Sequence, residues 1–129
     1  SLREEMEFAS AYIFLLKMRF ENNLQFDIQI GKSFEDYRLP PMAVQVLIEN
    51  AVKHNEISDR KPLTIHIVTN NEGYLSVSND IQPKRTAASG TGIGLVNLAK
   101  RYRLLFKQDI QITEDKEFSV CIPLIDEVQ

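Results

Sequence analysis

Residues 47–54 read Leu-Ile-Glu-Asn-Ala-Val-Lys-His and combine an apolar repeat with polar side chains at helical spacing. The apolar residues that share one helix face here are Val44, Leu47, Ile48 and Ala51. Because residues at i, i+3 and i+4 are neighbours on a helix, Asn50, Lys53 and His54 are expected to project from one side, next to that face. The stretch therefore predicts an amphipathic helix that presents an amide, an ammonium and an imidazole together.

These three polar side chains suit the binding of a metal and a phosphate. An amide oxygen coordinates hard cations such as Mg²⁺, and a lysine meets phosphate as a point charge. A histidine can donate a hydrogen bond to phosphate or orient a neighbour. The alternative is a half-exposed helix side on which Glu49 and Lys53 form an i,i+4 ion pair.

A second stretch, Gly-Thr-Gly-Ile-Gly-Leu at residues 90–95, runs into a predicted helix over 93–107. Its candidate site residues are Gly90, Thr91, Gly92, Gly94 and Leu95. Glycine lets a backbone approach phosphate closely, and the start of a helix attracts anions. The stretch is not a Walker motif, because no Gly-Lys-Ser/Thr follows it. It is not a good Rossmann fingerprint either, because about ten loop residues separate the glycines from the preceding strand, which they should follow directly. A flexible linker before the helix is the alternative.

Asn79 ends a predicted strand, and period two places it on the same face as Leu75 and Val77, toward the covered side of the sheet. A buried polar group needs a hydrogen-bonding partner. That partner is either the base of a ligand or the adjacent turn.

Periodicity along the chain predicts three helices and five strands. The helices cover residues 2–20, from Pro40-Pro41 to about Glu56, and 93–107; the strands cover 24–30, 63–69, 74–79, 109–113 and 118–123. The last helix is expected to be buried through Leu95, Leu98, Tyr102 and Leu105. Because strands arrive in adjacent pairs, we expect an α/β fold of the α+β type. It would be a two-layer sandwich with a mostly antiparallel mixed sheet covered on one face by helices.

The first helix carries a heptad-like apolar stripe. Its members are Leu2, Met6, Ala9, Ile13, Leu16 and Phe20. Phe8, Tyr12 and Leu15 are expected to widen that apolar face. Two interpretations remain open: the helix packs on its own domain, or it is the end of a dimerising helical region that begins upstream.

The composition excludes several classes of protein. The 129 residues are 43% hydrophobic, which suits one compact domain. A net charge of −3 argues against a nucleic-acid binder. Cys121 is the single cysteine, so the chain has no internal disulfide and is typical of a reducing compartment. No apolar run reaches the roughly 18–20 residues of a membrane helix, and a start at Ser1 leads us to expect a domain of a longer protein.

Together these segments resemble the sensor histidine kinases of the LytS type. Residues 47–54 resemble the asparagine box of the histidine-kinase ATPase domain, and residues 90–95 resemble its later glycine box. Tyr12, Arg19-Phe20 and the Leu39-Pro40-Pro41 entry resemble LytS-type members specifically. The resemblance covers nearly the whole chain, and the ordered combination is more specific than any single motif.

The resemblance implies a Bergerat-type (GHKL) ATP-binding fold, shared with the gyrase, Hsp90 and MutL ATPases, with ATP and Mg²⁺ as cofactors. It implies that Asn50 binds Mg²⁺, that Lys53 and His54 approach the phosphates, and that residues 90–95 close over them. Asn79 takes the adenine-binding position. The catalytic candidates are Asn50, Lys53 and Glu49.

Two positions depart from the family pattern. Asn79-Asp80-Ile81 replaces the usual Asp-Asn-Gly, so the adenine-binding carboxylate is an amide. The glutamate that activates water in the related ATPases lies one turn before the asparagine, where this chain has Val46. Glu49 projects about 100° away from Asn50. This pattern fits phosphotransfer better than ATP hydrolysis.

The resemblance also implies a setting for the chain. Residues 1–20 would lead from an upstream dimerisation and phosphoacceptor region, and residues 21–129 would form the ATPase domain. Neither His54 nor His66 matches the phosphoacceptor, so the expected partners are ATP or ADP, an upstream phosphoacceptor helix, a response regulator and a second copy in a homodimer. The expected location is the cytoplasmic side of a membrane-anchored sensor. Two alternatives are a degenerate nucleotide-binding or pseudokinase interaction module and a stand-alone ATPase.

Overall fold

The computed structural model describes residues 1–83 and 93–126. Its helices are α1 (Leu2–Phe20), α2 (Ala43–His54) and α3 (Ile93–Phe106). Its strands are β1 (Leu24–Gln29), β2 (Leu63–Thr69), β3 (Tyr74–Asp80), β4 (Gln111–Glu114) and β5 (Glu117–Pro123). Each predicted element is present, with its ends shifted by no more than a few residues. Within the described ranges, no helix combines the length and the apolar character needed to cross a membrane.

The five strands form one sheet in the order β1-β2-β3-β5-β4. β1 and β2 are parallel, with Leu24 opposite Leu63, and the other neighbouring pairs are antiparallel. Parallel strands need a crossover connection, and α2 lies within the segment that connects β1 to β2. The predicted mixed, mostly antiparallel sheet is therefore confirmed.

The core lies between one face of the sheet and the helices. Leu63, Ile65 and Ile67 of β2 are buried, whereas the residues that alternate with them are more exposed. The predicted apolar stripe of α2 is buried at all four positions. α1 buries Leu2, Ala9, Ile13 and Leu16 in the same core. This packing supports the interpretation that α1 packs on its own domain.

The prediction of a wider buried face on α1 is wrong for two residues. Tyr12 is half-buried, but Phe8 and Leu15 are 59% and 62% exposed. At 3.6 residues per turn, these two positions lie on the side of α1 that faces away from the buried stripe. They are solvent-exposed apolar residues and not core residues.

Hydrogen bonds link the start of α1 to the segment that leads into α2. The Leu2 N–H donates to the Tyr37 carbonyl at 2.8 Å, and the Arg3 N–H donates to the Glu35 carbonyl at 2.9 Å. The Met42 N–H, just before α2, donates to Glu5 Oε1 at 2.7 Å. The amino-terminal ends of α1 and α2 are thus joined directly.

α2 begins later than predicted. Pro40 and Pro41 precede the helix, which starts at Ala43 after Met42 has adopted a φ of 68°. This left-handed conformation is uncommon for a residue other than glycine, and it separates the prolines from the helical path. The helix ends at His54 because Asn55 is extended.

α3 is anchored by Leu98 and Tyr102, which are fully buried. The Tyr102 hydroxyl donates to the Pro123 carbonyl of β5 at 2.8 Å, and burial raises the pKa of Tyr102. The prediction that Leu105 is buried is wrong, since it is 60% exposed. Phe106, four residues after Tyr102, packs beside it with ring centroids 5.8 Å apart.

Candidate functional site

The carboxyl-terminal half of α2 borders a cavity of about 320 Å³, which we name the α2–α3 cavity. Its lining residues are Asn50, His54, Asn55, Ile81, Pro83, Leu95, Glu114 and Phe118. A cavity of this size falls in the range of small-molecule sites. It brings Asn50, His54 and Leu95, three of the candidate residues, around one space.

The α2–α3 cavity combines apolar walls with a few polar groups. Ile81, Leu95 and Phe118 supply apolar surface, and Asn50 supplies an amide. Glu114 adds a carboxylate from β4, opposite Phe118 of β5. Apolar surface suits a flat aromatic ligand, while the polar side chains suit the charged end of the same ligand.

Lys53 and Glu49 line a different space, the α1–α2 cleft of about 530 Å³. Tyr12 and Arg19 of α1 form part of its other side. Burial and the negative charge of Glu49 raise the pKa of Tyr12. Because Asn50 and His54 line the α2–α3 cavity instead, the expectation that Lys53 would share one side with them is not met. Lys53 lies about 100° around the helix from His54, toward Glu49.

Asn55, which no sequence pattern singled out, is buried at the end of α2. Its Oδ1 accepts the Gln82 N–H at 2.7 Å, and its Nδ2 donates to the Ala51 carbonyl at 2.8 Å. The Glu56 N–H also donates to the Gln82 carbonyl. These bonds hold residues 81–83, which form one wall of the α2–α3 cavity. An asparagine after a helix usually indicates a local cap, so no signal in the sequence pointed to a partner 27 residues away.

Asn79 is buried on the face of β3 that Leu75 and Val77 share, as predicted. Its Nδ2 donates to the Asp80 carbonyl at 2.8 Å. Its cross-strand partner is Phe118, which lines the α2–α3 cavity. The amide NH₂ group is therefore used by the neighbouring backbone, while the side chain lies next to a residue of the cavity wall.

The glycine stretch is only partly described. Gly90, Thr91 and Gly92 lie outside the described residues, and Gly94 and Leu95 belong to the first turn of α3. A Cβ at Gly94 would lie 3.4 Å from Val46 Cγ1. This is an ordinary van der Waals distance, so Gly94 of α3 lies next to Val46 of α2.

Within residues 1–83 and 93–126, no group of three His, Cys, Asp or Glu side chains could hold a metal ion. Mg²⁺ bound with a nucleotide does not need such a group, because it takes one or two protein oxygens and completes its shell with phosphate and water. Asn50 and Glu114 offer side-chain oxygens around the α2–α3 cavity. This donor set fits a hard cation that arrives with a phosphate ligand.

No protein-family model matches the chain. Similar curated proteins are sensor proteins. The sensor protein LytS of Streptococcus mutans serotype c is 35% identical over 131 residues, which cover 89% of this chain and 22% of that protein. LytS of Staphylococcus epidermidis is 30% identical over 121 residues, covering 82% and 20%. The sensor histidine kinase BtsS of Escherichia coli K12 is 28% identical over 116 residues, covering 88% and 21%. The chain spans about a fifth of the length of these relatives.

Solved structures with a similar fold include the catalytic domain of the histidine kinase ThkA. It has a TM-score of 0.60 and 19% identity, with 92% of each chain covered. The mycobacterial sensor histidine kinase MprB gives a TM-score of 0.54 and 12% identity, with 93% of this chain and 94% of that chain covered. At these identities the likeness establishes the fold, an α/β sandwich built like these kinase domains.

Proposed function

The chain belongs to the family of LytS-type sensor histidine kinases, and on this premise we propose that it is the ATP-binding catalytic domain of such a kinase. It would transfer the γ-phosphoryl group of ATP to a histidine other than its own His54 and His66. The observation that supports this proposal is the α2–α3 cavity, in which Asn50 and His54 face the apolar surface of Ile81, Leu95 and Phe118.

The ligand positions in this proposal follow from the chemistry of the lining. Adenine takes the apolar part of the cavity near Phe118, beside the buried Asn79. Asn50 holds Mg²⁺ through its amide oxygen. The backbone of Gly90, Thr91, Gly92 and Gly94 is assigned to the phosphates through the family resemblance.

His54 and Lys53 have different roles in this proposal. His54 lines the α2–α3 cavity, whereas Lys53 lines the α1–α2 cleft with Glu49. Lys53 reaches a phosphate only when its flexible side chain bends around α2. We therefore assign the first phosphate contact to His54 and a supporting one to Lys53. Glu49 faces away from the cavity and is not assigned the role of a base.

The reaction breaks the bond between the γ-phosphorus and its bridging oxygen and forms a phosphorus–nitrogen bond to the imidazole of the acceptor histidine. ADP is the leaving group. Catalysis of this kind depends on positioning and on neutralising charge. Mg²⁺, when bound, supplies that neutralisation on the phosphates, and the chain holds the nucleotide in place from α2, α3 and residues 81–83.

A stand-alone ATPase is disfavoured by one contact. The water-activating glutamate of related ATPases would occupy position 46, where Val46 lies against Gly94 of α3. An apolar side chain in that contact cannot accept a proton from water. Phosphotransfer to a separate histidine needs no such base for water.

We also propose a setting for this domain in the parent protein. Residues 1–20 lead from an upstream phosphoacceptor region, and residues 21–129 form the nucleotide-binding part. The parent would act as a homodimer at the cytoplasmic side of a membrane and pass its phosphoryl group to a response regulator. The sensor names of its relatives support this setting.

Calorimetric titration with Mg-ADP and Mg-ATP tests nucleotide binding. We expect the Asn50→Ala substitution to weaken affinity about tenfold or more, because it removes a metal ligand. In EDTA, the difference between wild type and Asn50→Ala should disappear. Asn71→Ala, in the exposed β2–β3 turn, is the matched control and should bind like wild type. The absence of a binding signal at millimolar Mg-ATP would refute the proposal.

Labelling with γ-phosphate-labelled ATP tests the identity of the acceptor. We expect no acid-labile phosphate on His54 or His66, and transfer when a segment bearing the parent's phosphoacceptor histidine is added. In the same binding series, His54→Ala should lower affinity more than Lys53→Ala. Label on either histidine of this chain would contradict the assignment.

A further inference from the structure

Glu114 of β4 lines the α2–α3 cavity, yet none of the proposed ligand contacts uses its carboxylate. Its side chain is exposed. Within residues 1–83 and 93–126 it has neither an ion pair nor a hydrogen bond. A charged acceptor that borders a cavity without a protein partner there is available to a ligand.

The sheet places Glu114 in one row with Asn79 and Phe118. Asn79 of β3 lies opposite Phe118 of β5, and Phe118 lies opposite Glu114 of β4. Residues directly opposite each other share one face of a sheet, so the three side chains lie on the face that the helices cover. Two strand spacings of about 4.8 Å separate Glu114 from Asn79 by roughly 9–10 Å.

The charge of Glu114 decides which part of a nucleotide it can meet. An ionised carboxylate only accepts hydrogen bonds, and it repels phosphate groups. The donors of an adenosine are the amino group of its base and the hydroxyls of its ribose. The base is assigned to the space over Phe118, beside Asn79 at the buried end of the row. The ribose hydroxyls lie about one adenosine length from the amino group, as Glu114 does from Asn79.

We propose that Glu114 accepts hydrogen bonds from the 2′- and 3′-hydroxyls of the ribose and makes the domain select ribonucleotides. This inference rests on the proposed function, because it requires a nucleotide whose adenine lies over Phe118. Two neighbouring hydroxyls can share the two oxygens of one carboxylate, and Asp or Glu also binds the ribose 2′-hydroxyl in dinucleotide-binding folds. Hydrogen bonds to an ionised acceptor are stronger than neutral ones, so Glu114 fixes the sugar between the base and the phosphates.

Mg²⁺ is the other group that a carboxylate in this cavity could bind. The row with Asn79 favours the ribose, because Asn50, the assigned metal ligand, projects from α2 and not from the sheet. The two uses of Glu114 also differ in what they require. A bond to the ribose depends on the hydroxyls and persists in EDTA, whereas a bond to Mg²⁺ is lost in EDTA and does not depend on the hydroxyls.

Calorimetric titration with ADP and with 2′,3′-dideoxy-ADP tests the assignment. We expect wild type to bind ADP about tenfold more tightly than the dideoxy compound, because hydrogen bonds to a charged group are lost. Glu114→Gln should reduce this ratio to about threefold, since a neutral oxygen remains, and Glu114→Leu should reduce it to about one. Glu117→Gln is the matched control and should keep the wild-type ratio, because Glu117 alternates with Phe118 and lies on the other face of the sheet.

The possible results separate this inference from the proposed function. Equal affinities of wild type for ADP and 2′,3′-dideoxy-ADP, or a wild-type ratio in Glu114→Leu, would overturn the role of Glu114 and leave nucleotide binding intact. Titrations in EDTA should give the same ratios. An effect of Glu114→Leu that disappears in EDTA would assign the carboxylate to Mg²⁺ and overturn the contact with the ribose. A wild type that binds no ADP would refute the proposed function and this inference together.

Discussion

Asn55 holds the backbone of Gln82 through a 2.7 Å hydrogen bond from the Gln82 N–H to the Asn55 Oδ1. The second half of the same amide is fixed to α2, because Nδ2 donates to the Ala51 carbonyl at 2.8 Å. Asn55 therefore connects a rigid helix end to residues 81–83 at the wall of the α2–α3 cavity.

We predict that Asn55→Ala weakens the binding of Mg-ADP severalfold and lowers the free energy of unfolding by about 1–3 kcal/mol. The reason is that the part-buried N–H of Gln82 loses its acceptor and residues 81–83 lose one of their bonds to the end of α2. Calorimetry and urea unfolding give the two values. Asn23→Ala, which removes an exposed bond to Asp59, should leave affinity unchanged. Unaltered nucleotide affinity in Asn55→Ala would mean that residues 81–83 are held by other contacts.

We predict that Asn79 makes the domain prefer ATP to GTP. Because Nδ2 is engaged by the Asp80 carbonyl, the amide oxygen is the group available to accept from the amino group of adenine. Guanine would place a carbonyl against that oxygen, at a cost of about 1–3 kcal/mol. Asn79→Leu should bring the two affinities together, and Asn79→Asp should strengthen ATP binding through a charge-assisted bond. Competition binding with both nucleotides measures the ratio of ATP affinity to GTP affinity. A ratio that is the same in wild type and in both variants would mean that other residues recognise the base.

We predict that Tyr102→Phe lowers the free energy of unfolding by about 1–3 kcal/mol, because the buried carbonyl of Pro123 loses its donor. Urea unfolding with an unchanged slope measures the effect. Tyr37→Phe preserves the edge-on ring contact with Phe34 and serves as the control, with a smaller loss. Equal losses in both variants would show that the hydroxyl bond to Pro123 contributes no more than an ordinary tyrosine hydroxyl.

We predict an acid-sensitive contribution from Asp27. Hydrogen bonds from Gln29 and from His66, whose Nδ1 lies 3.0 Å from Asp27 Oδ2, lower the pKa of Asp27 below its ordinary 3.8. A lowered pKa stabilises the folded state above the ordinary value, and this stabilisation is lost as the pH falls through the lowered one. Asp27→Asn should therefore reduce the urea midpoint at neutral pH and match wild type in strong acid. Asp115→Asn, in the exposed β4–β5 turn, is the control. A difference in urea midpoint between wild type and Asp27→Asn that persists in strong acid would show that the Asp27 carboxylate is not its cause.

Much of the fold was predictable because the spacing of apolar residues along a strand or helix indicates which face is buried. The alternation of Leu63, Ile65 and Ile67 and the apolar stripe of α2 both appear in the core as expected. The turn at Met42 was not predictable from local sequence, since its backbone is left-handed and its N–H bonds to Glu5 of α1, 37 residues away. Likewise, helical spacing allows either Leu105 (i+3) or Phe106 (i+4) to lie beside Tyr102, and in the structure Phe106 packs there while Leu105 is exposed.

The only part of the candidate site that could be predicted is the pair of residues that lie on the same helix, α2. Asn50 and His54 share a cavity because their spacing places them one turn apart on α2. Helical spacing also places Lys53 about 100° from His54, but the cleft that Lys53 borders exists because α1 lies there, and the local sequence of α2 does not reveal that neighbour. The bond between Asn55 and Gln82 joins residues that are distant in sequence, so local patterns do not reveal it.

The hydrogen bonds at the start of α1 give the domain a path for mechanical force. Leu2 and Arg3 are attached to residues 35–37, and Glu5 is attached to Met42 at the threshold of α2. A torque applied to α1 would act through these hydrogen bonds on the segment that leads into α2, the helix that carries Asn50. α1 is thus attached to the amino-terminal end of α2, the helix whose carboxyl-terminal half borders the α2–α3 cavity.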